Sequence, residues 1–502
     1  MNRYDVIVIG AGHNGLVCAA MLAKNGRKVL VLERRDKPGG LCAAEEFHPG
    51  FTVPGFFHDT QTLSSQVVRQ LDLEKFGLRR QLVIPIKVMQ SNEFLFTLDG
   101  YGLSGVTDKQ QTAFREWRKL VDTLKPLLRA LAHRSPPVMH PESLSDYLRL
   151  ALTGIKLRAL GKRRMVELMR ITPMCLADWL NEYFPDRKMS EAIAAGSLLG
   201  SFQGPWSAGT AFNLLLQESL RDKHVIGGPA ALVIALVAAC DNAGVSVNLN
   251  TTVKQVVIEQ NTVKGVLLMN GERIEATTVV AATDPKTLLL DMVESRQLDV
   301  CIEKQVRAIR TRGTLAKIHL GIRGEAGFDS HLSRVRLCTG SIDNLEKAFD
   351  AVKYGEFSKI PFLDISVPSM ETPELAPQGH HVLSVMVGYA PYALRAGWSD
   401  NTRTALTETV IERIEQVVPG LRQRIVCQEV LTPVDIEMRY GVHQGQVHHV
   451  EPALDQLLGM RPTISTSHYA TPIAGLRLCG SGSHPMGGVT GLPGLLAAQA
   501  VP

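Results

Sequence analysis

The sequence predicts an α/β fold in which a parallel βαβ unit at the start of the chain is completed by later segments, with an α+β domain and a helical lid inserted between them. Three observations predict it. A short apolar strand at 4–9 runs directly into Gly10-Ala11-Gly12-His13-Asn14-Gly15 and a helical stretch at 16–25. Strands at 245–249, 253–259, 262–269, 273–276 and 279–282 follow an apolar helix at 230–242, far along the chain. A second strand, at 475–479, enters another glycine-rich turn and a small-residue helix near 495–500. Strand, tight turn and helix in that order form the unit of a parallel sheet.

The first turn has a physical assignment for each glycine. Gly10 permits the sharp bend, Gly12 lets backbone approach a pyrophosphate, and Gly15 lets helix and strand pack closely. The helix start then offers N–H groups and a positive dipole end to phosphates. Gly26 stops the helix, 28–32 is the second strand, and Glu33, 21 residues after Gly12, is placed to accept hydrogen bonds from a ribose. The unit is therefore read as a dinucleotide site. Next comes Arg34-Arg35-Asp36-Lys37-Pro38-Gly39-Gly40-Leu41. A glycine pair at that distance resembles the glutathione-reductase-like flavoproteins, where it lets the chain pass close to FAD. A plain Pro-Gly-Gly surface loop is the alternative.

The remaining elements interleave. Residues 107–218 are helix-rich and basic, and Gly227-Gly228-Pro229 opens the apolar helix. Asn270-Gly271 reads as a hairpin turn. The expectation is a Rossmann domain in three pieces (1–75, 222–290 and 435–502) with a substrate domain inserted as 76–221 and 291–434. In the last piece, Gly480-Ser481-Gly482-Ser483-His484-Pro485-Met486-Gly487-Gly488-Val489-Thr490-Gly491 lies between a buried strand and a helix, where a flexible linker does not belong. Such a turn forms a cradle of backbone amides, and its helix start would face a site of developing negative charge.

Composition bounds the class. The 502 residues are 45% hydrophobic and 21% charged, ordinary for a globular protein with two or three cores. A net charge of +5 makes no case for nucleic acid. The eight cysteines show no Cys-x-x-Cys and no metal spacing, so no metal is expected and a dithiol reductase is excluded. A secretory leader and a membrane span are not expected, and the chain reads as cytoplasmic, or mitochondrial in a eukaryote.

Taken together, these motifs resemble the phytoene desaturase (carotenoid desaturase) family of flavoproteins. The matching segments reach along most of the chain. They include residues 10–15 with Glu33 and Gly39-Gly40, residues 201–210, Gly227-Gly228-Pro229, Asp284-Pro285, residues 376–382, 455–462 and 471–476, and the 480–494 loop. The resemblance implies a glutathione-reductase-like Rossmann FAD-binding domain. It places FAD contacts at Gly10, Gly12, Gly15, Glu33, Arg34, Gly39, Gly40, Leu41, Val253, Gly480, Gly488 and Val489. Two departures concern the substrate side. Met486 stands where relatives tend to have glycine, and residues 445–451 (Gly-Gln-Val-His-His-Val-Glu) are unusually rich in histidine.

The chemistry implied is hydride acceptance at flavin N5 from a hydrophobic, unsaturated small molecule, the desaturase or dehydrogenase type. An electron acceptor of quinone or oxygen type is expected, because no second Gly-x-Gly-x-x-Gly is seen to hold a nicotinamide. His448 and His484 are the candidates for substrate binding or proton transfer, with His449 and Glu451 near them; a hydrogen-bonded loop is the alternative for the histidine pair. Amine-oxidase-like chemistry, flavin-dependent isomerisation and a non-catalytic, flavin-stabilised interaction protein remain open. Residues 148–170 interleave basic and apolar side chains, a pattern that suits either peripheral membrane contact or a packed helix with a solvated face. Oligomeric state and substrate identity are not legible.

Overall fold

Strand Arg3–Ile9 sends Val6 and Val8 to one face of its sheet and Ile7 and Ile9 to the other, and all four are buried. Strand Val29–Leu32 repeats the division, with Val29 and Val31 opposite Leu30 and Leu32. Apolar residues on both faces are what a parallel sheet covered on both sides requires. The computed structural model describes residues 3–82, 84–99, 102–136, 143–325, 327 and 333–502. Among them, a first sheet places parallel strands in the order Ser246–Asn248, Val29–Leu32, Arg3–Ile9, Arg273–Ala281 and Leu476–Leu478. The antiparallel strands Val253–Glu259 and Thr262–Leu268 extend it from the first half of Arg273–Ala281.

Helices His13–Lys24, Gly228–Asn242 and Leu492–Ala500 cover one face of this sheet. The first and last cross at contact distance because position 494 is glycine: a Cβ there would lie 2.1 Å from the Asn14 carbonyl oxygen. One sequence expectation is corrected. The separate strands at 273–276 and 279–282 are a single strand, Arg273–Ala281. β-branched Thr277 and Thr278 suit extended backbone, and the Thr277 hydroxyl donates to the Asp5 carbonyl at 3.0 Å.

A second sheet draws its strands from 86–104 and 315–431, in the order Ile425–Leu431, Leu315–Arg323, His380–Gly388, Leu363–Ser366, Arg334–Leu337, Ile86–Gln90, Glu93–Leu98 and Leu103–Ser104. One face packs Ile318, Leu320, Val385 and Val335 against Leu406, Val410 and Ile414 of helix Asp400–Glu415. The opposite face carries polar rows. Lys317, Met386, Asp364 and Arg336 lie in register, and so do His319, Ser384, Ser366 and Arg334. Helices Asp108–Ala132, Leu176–Asn181, Arg187–Leu198 and Thr210–Leu220 pack together in one core, and on this side the Ala192 carbonyl of the third accepts from Arg336 at 3.1 Å. Buried Trp117 of the first lies 6.0 Å, ring to ring, from Trp179 of the second.

Candidate functional site

Two recesses meet where the first sheet faces the second. The first is a cleft over the strand ends at 9 and 32. Gly10, Gly12, Gly15, Glu33, Arg34, Gly39, Gly40, Leu41 and Val253 all line it. Gly10 has φ +96°, and a Cβ on Gly15 would lie 2.1 Å from the Gly10 carbonyl oxygen. By contrast no atom stands within 4 Å of a Cβ on Gly12, so backbone alone faces the cleft there. No side chain caps the helix that starts after Gly12, which leaves its dipole end for a ligand.

Glu33 is fixed by its neighbours. Its carboxylate accepts from the Ala11 amide at 2.8 Å and the Arg35 amide at 2.9 Å, tying strand end to glycine turn. Each oxygen keeps a further lone pair for a ribose hydroxyl. Arg34 donates to the Met438 and Arg439 carbonyls at 3.0 Å and so closes the end of helix Pro433–Tyr440 beside the cleft. Asn14 Oδ1, Arg35 Nη1 and Thr283 Oγ1 also belong to residues of this lining, and each is buried without a hydrogen-bond partner. Such atoms are costly unless a ligand completes them. Bare glycine backbone, a carboxylate at the strand end and unsatisfied polar atoms fit FAD. Asn14, Arg35, Thr283, Tyr440 and Ser481 are lining residues that the sequence reading missed.

The second recess abuts the first, since Phe57 and Val447 line both. Its walls include Leu199, Leu216, Leu315, Met386, Leu457 and Met486, and backbone at Gly487 and Gly488. Gly488 has φ +90° with no atom within 4 Å of a Cβ, so this stretch is also open. Val489 lines the same recess. Gly480 lines neither recess. A Cβ there would lie 2.7 Å from the Ala282 oxygen and 2.6 Å from that of Thr283, so its part is close packing of strand ends.

Of the two candidate histidines, only His448 lines the second recess. Its ring stacks on Phe57 with centroids 6.2 Å apart, and Nε2 lies 3.1 Å from the Leu199 carbonyl oxygen. That oxygen only accepts, so Nε2 carries the proton and Nδ1 has a free lone pair. Burial lowers the His448 pKa to about 4. His484 is buried with Nε2 at 3.2 Å from the Leu131 carbonyl oxygen, outside both recesses. His449 lines the cleft instead. Glu451 holds Arg312 in a fork at 2.8 and 2.9 Å and is a structural anchor for the loop. Among the described residues no cluster suited to a metal ion occurs.

The sequence reading also missed the polar floor of the second recess. His58 Nδ1 donates to Asp364 at 2.8 Å, and Lys317 Nζ donates to His58 Nε2 at 2.7 Å. Arg334 and Arg336 both reach Asp364, at 2.9 and 3.2 Å. Burial would raise the Asp364 carboxyl, but Arg334, His58 and Arg336 outweigh it and hold it well below the carboxylate range. Burial likewise pulls Lys317 well below the usual amine range. The available signal was alternation: Lys317 and His319, then Arg334 and Arg336, stand two apart in otherwise apolar strands.

Burial gives the fold an acid-sensitive set. His13, His448, His449 and His484 each fall from 6.5 to about 4, and His58 to about 3. The unfolded chain takes up protons below 6.5, whereas the folded one does not until about 4. This stability is therefore full above 6.5 and is lost as pH falls toward 4, with up to ~3 kcal/mol at stake per histidine. Glu191, raised by burial to about 7, works in the opposite direction, as do Asp284 and Asp291, whose carboxyls burial also raises, but the five histidines outnumber them. The thermal midpoint should drop steeply between about pH 7 and about pH 5; an unchanged midpoint would contradict the buried neutral histidines.

Comparison with known proteins adds to this geometry. The model of the family "Flavin containing amine oxidoreductase" matches residues 15–501. The chain is 29% identical to pyridine nucleotide-disulfide oxidoreductase domain-containing protein 2 of Rattus norvegicus, over 99% of this chain and 93% of the relative. It is 26% identical to a limonene dehydrogenase component of Castellaniella defragrans, over 100% and 95% of the two chains. A lycopene-forming phytoene desaturase of Pseudescherichia vulneris is 25% identical, over 97% and 96%. Among solved structures, putrescine oxidase bound to putrescine superposes with a TM-score of 0.62 at 16% identity, over 99% and 98% of the chains, a likeness of fold.

Proposed function

Because the chain belongs to the flavin-containing amine oxidoreductase family, we propose that it is an FAD-dependent dehydrogenase of a hydrophobic, unsaturated small molecule. The cofactor is FAD, and when bound it supplies a hydride acceptor. The observation that carries the proposal is the junction of the two recesses, where an apolar cavity opens at Phe57 and Val447 onto the cleft that fits the dinucleotide. Leu199, Leu216, Leu315 and Met386 exclude water and orient a carbon chain. Met486, placed among these apolar walls, narrows the cavity beside Gly487 and Gly488.

The chain offers little general-base power at this junction. The free Nδ1 lone pair of His448 is available to a substrate donor, but with a pKa lowered by burial to about 4 the ring does not hold a second proton at neutral pH. A conjugated or allylic C–H bond needs little such help, and the relatives named limonene dehydrogenase and phytoene desaturase favour the same substrate class. The likeness to putrescine oxidase favours amine oxidation as the second reading. Photoreduced holoprotein mixed with a soluble quinone should reoxidise faster than with oxygen. Rapid reoxidation by oxygen would move the account to the oxidase reading.

Access for such a substrate points to a membrane surface. Helix Leu144–Ala159 shows no buried side chain among those described. Leu144, Tyr147, Leu148, Leu152 and Ile155 are 79%, 58%, 57%, 54% and 62% exposed. At 3.6 residues per turn these share an arc of roughly 140°. Residues 144–171 hold seven Lys or Arg and two Asp or Glu, a surplus equal to the +5 of the whole chain. An exposed apolar arc, flanked on one edge by Lys156 and Arg149 and entered at its C-terminal end by Arg158, suits an anionic headgroup layer. Among the described residues no helix is long and apolar enough to cross a membrane. Holoprotein should float with phosphatidylserine-containing vesicles, and Leu148→Glu with Ile155→Glu should release it. Flotation that ignores those changes would contradict this contact.

A further inference from the structure

We propose that the apolar cavity ends in a carboxylate-binding site, so that the substrate is a hydrophobic molecule with an acid group at one end, held by Arg334. The inference rests on the dehydrogenase reading and narrows its substrate class. Arg334 is only 4% exposed, yet it lines the cavity of the proposed substrate. Its Nη2 bonds to Asp364 at 2.9 and 3.2 Å, while Nε and Nη1 are buried without partners. A guanidinium left two-thirds unpaired at this depth is costly, and a charged acceptor repays it best.

The acids of this buried cluster are already engaged. Asp364 receives His58, Arg334 and Arg336. Asp59 accepts from Arg221 at 3.0 Å and from the Gln61 amide at 2.8 Å. Glu218 is shared between Arg118 and Arg221. Asp122, a further acid beside Arg118, lies half-exposed at the surface. At the cavity floor Arg334 and Arg336 thus share Asp364, and Asp59 is held by Arg221. The unpaired Nε and Nη1 of Arg334 are donors suited to a carboxylate. A protonated amine at this end would meet Arg334 and Arg336 together, which argues against an amine whose cationic group must sit there.

The test compares three probes of equal chain length, decanoate, decanol and decylamine, titrated into FAD-loaded protein and followed by perturbation of the flavin band. Decanoate should bind at least about tenfold more tightly than decanol, the effect of one charge-assisted hydrogen bond, with decylamine weakest. Arg334→Gln should erase the advantage of decanoate and leave decanol unchanged. The double variant Arg334→Gln with Asp364→Asn keeps the charge count and covers the case in which the single variant fails to fold. Decanol binding as tightly as decanoate would overturn the carboxylate site and leave the apolar cavity standing. Binding by none of the three would remove the cavity reading and this inference with it.

Discussion

Gly15→Val is expected to yield protein that carries no flavin. A Cβ at this position lies 2.1 Å from the Gly10 carbonyl oxygen and 3.0 Å from the Ala282 side chain. Both neighbours are fixed, the first by the turn itself and the second by the end of strand Arg273–Ala281. Valine adds two further carbons, so the helix His13–Lys24 must move off the sheet and the cleft loses its shape. Gly12→Ala separates this effect from contact with the ligand. Nothing stands within 4 Å of its Cβ, so the fold should keep its thermal midpoint while the methyl group occupies space meant for the cofactor. Flavin released on denaturation, measured per mole of protein, should fall to near zero for Gly15→Val and well below wild type for Gly12→Ala. A full complement of flavin in the valine variant would contradict the placement of FAD in this cleft.

Asp364→Ala should be the most destabilising single change in the second sheet. It leaves Arg334, Arg336 and His58 without their common acceptor at a site with almost no solvent. Breaking a buried ion pair from one side costs about 3–5 kcal/mol, because the remaining charge has no water to turn to. That argument concerns removal of one partner and does not make the cluster more stabilising than an apolar floor. Asp364→Asn should lose less, since the amide oxygen can still accept from His58. Thermal melts of the flavin-free proteins should order wild type above asparagine above alanine. Equal midpoints would mean that water already reaches this cluster.

These two sites differ in how far the sequence revealed them. The turn at 10–15 was legible because its parts are local: six residues fix the bend, the helix start and the close packing. Glu33 followed from spacing along the same unit. The floor of the cavity was not, since His58 and Asp364 are 306 positions apart and meet only because one strand of the second sheet lies under the loop that carries His58. Its trace is the polar alternation at 317, 319, 334 and 336, within the inserted 291–434 segment. His448 and His484 stood in equally suggestive motifs, yet ring direction separates them: one lines the cavity, the other turns to the Leu131 carbonyl. Thr277 and Thr278 were read as a break between strands, although β-branched residues continue one.

The measurement that bears most directly on the central claim is anaerobic reduction of the bound flavin in a single turnover. Holoprotein is mixed without oxygen with a mixture of unsaturated terpenes and polyenes, with and without a terminal carboxylate, and in parallel with a panel of primary and secondary amines. The expected result is loss of the oxidised-flavin band with the unsaturated compounds and not with the amines, abolished by Leu216→Trp, which fills the cavity without touching the cleft. Bleaching by amines, with no response to any of the unsaturated compounds, would contradict the account and make the chain an amine oxidase.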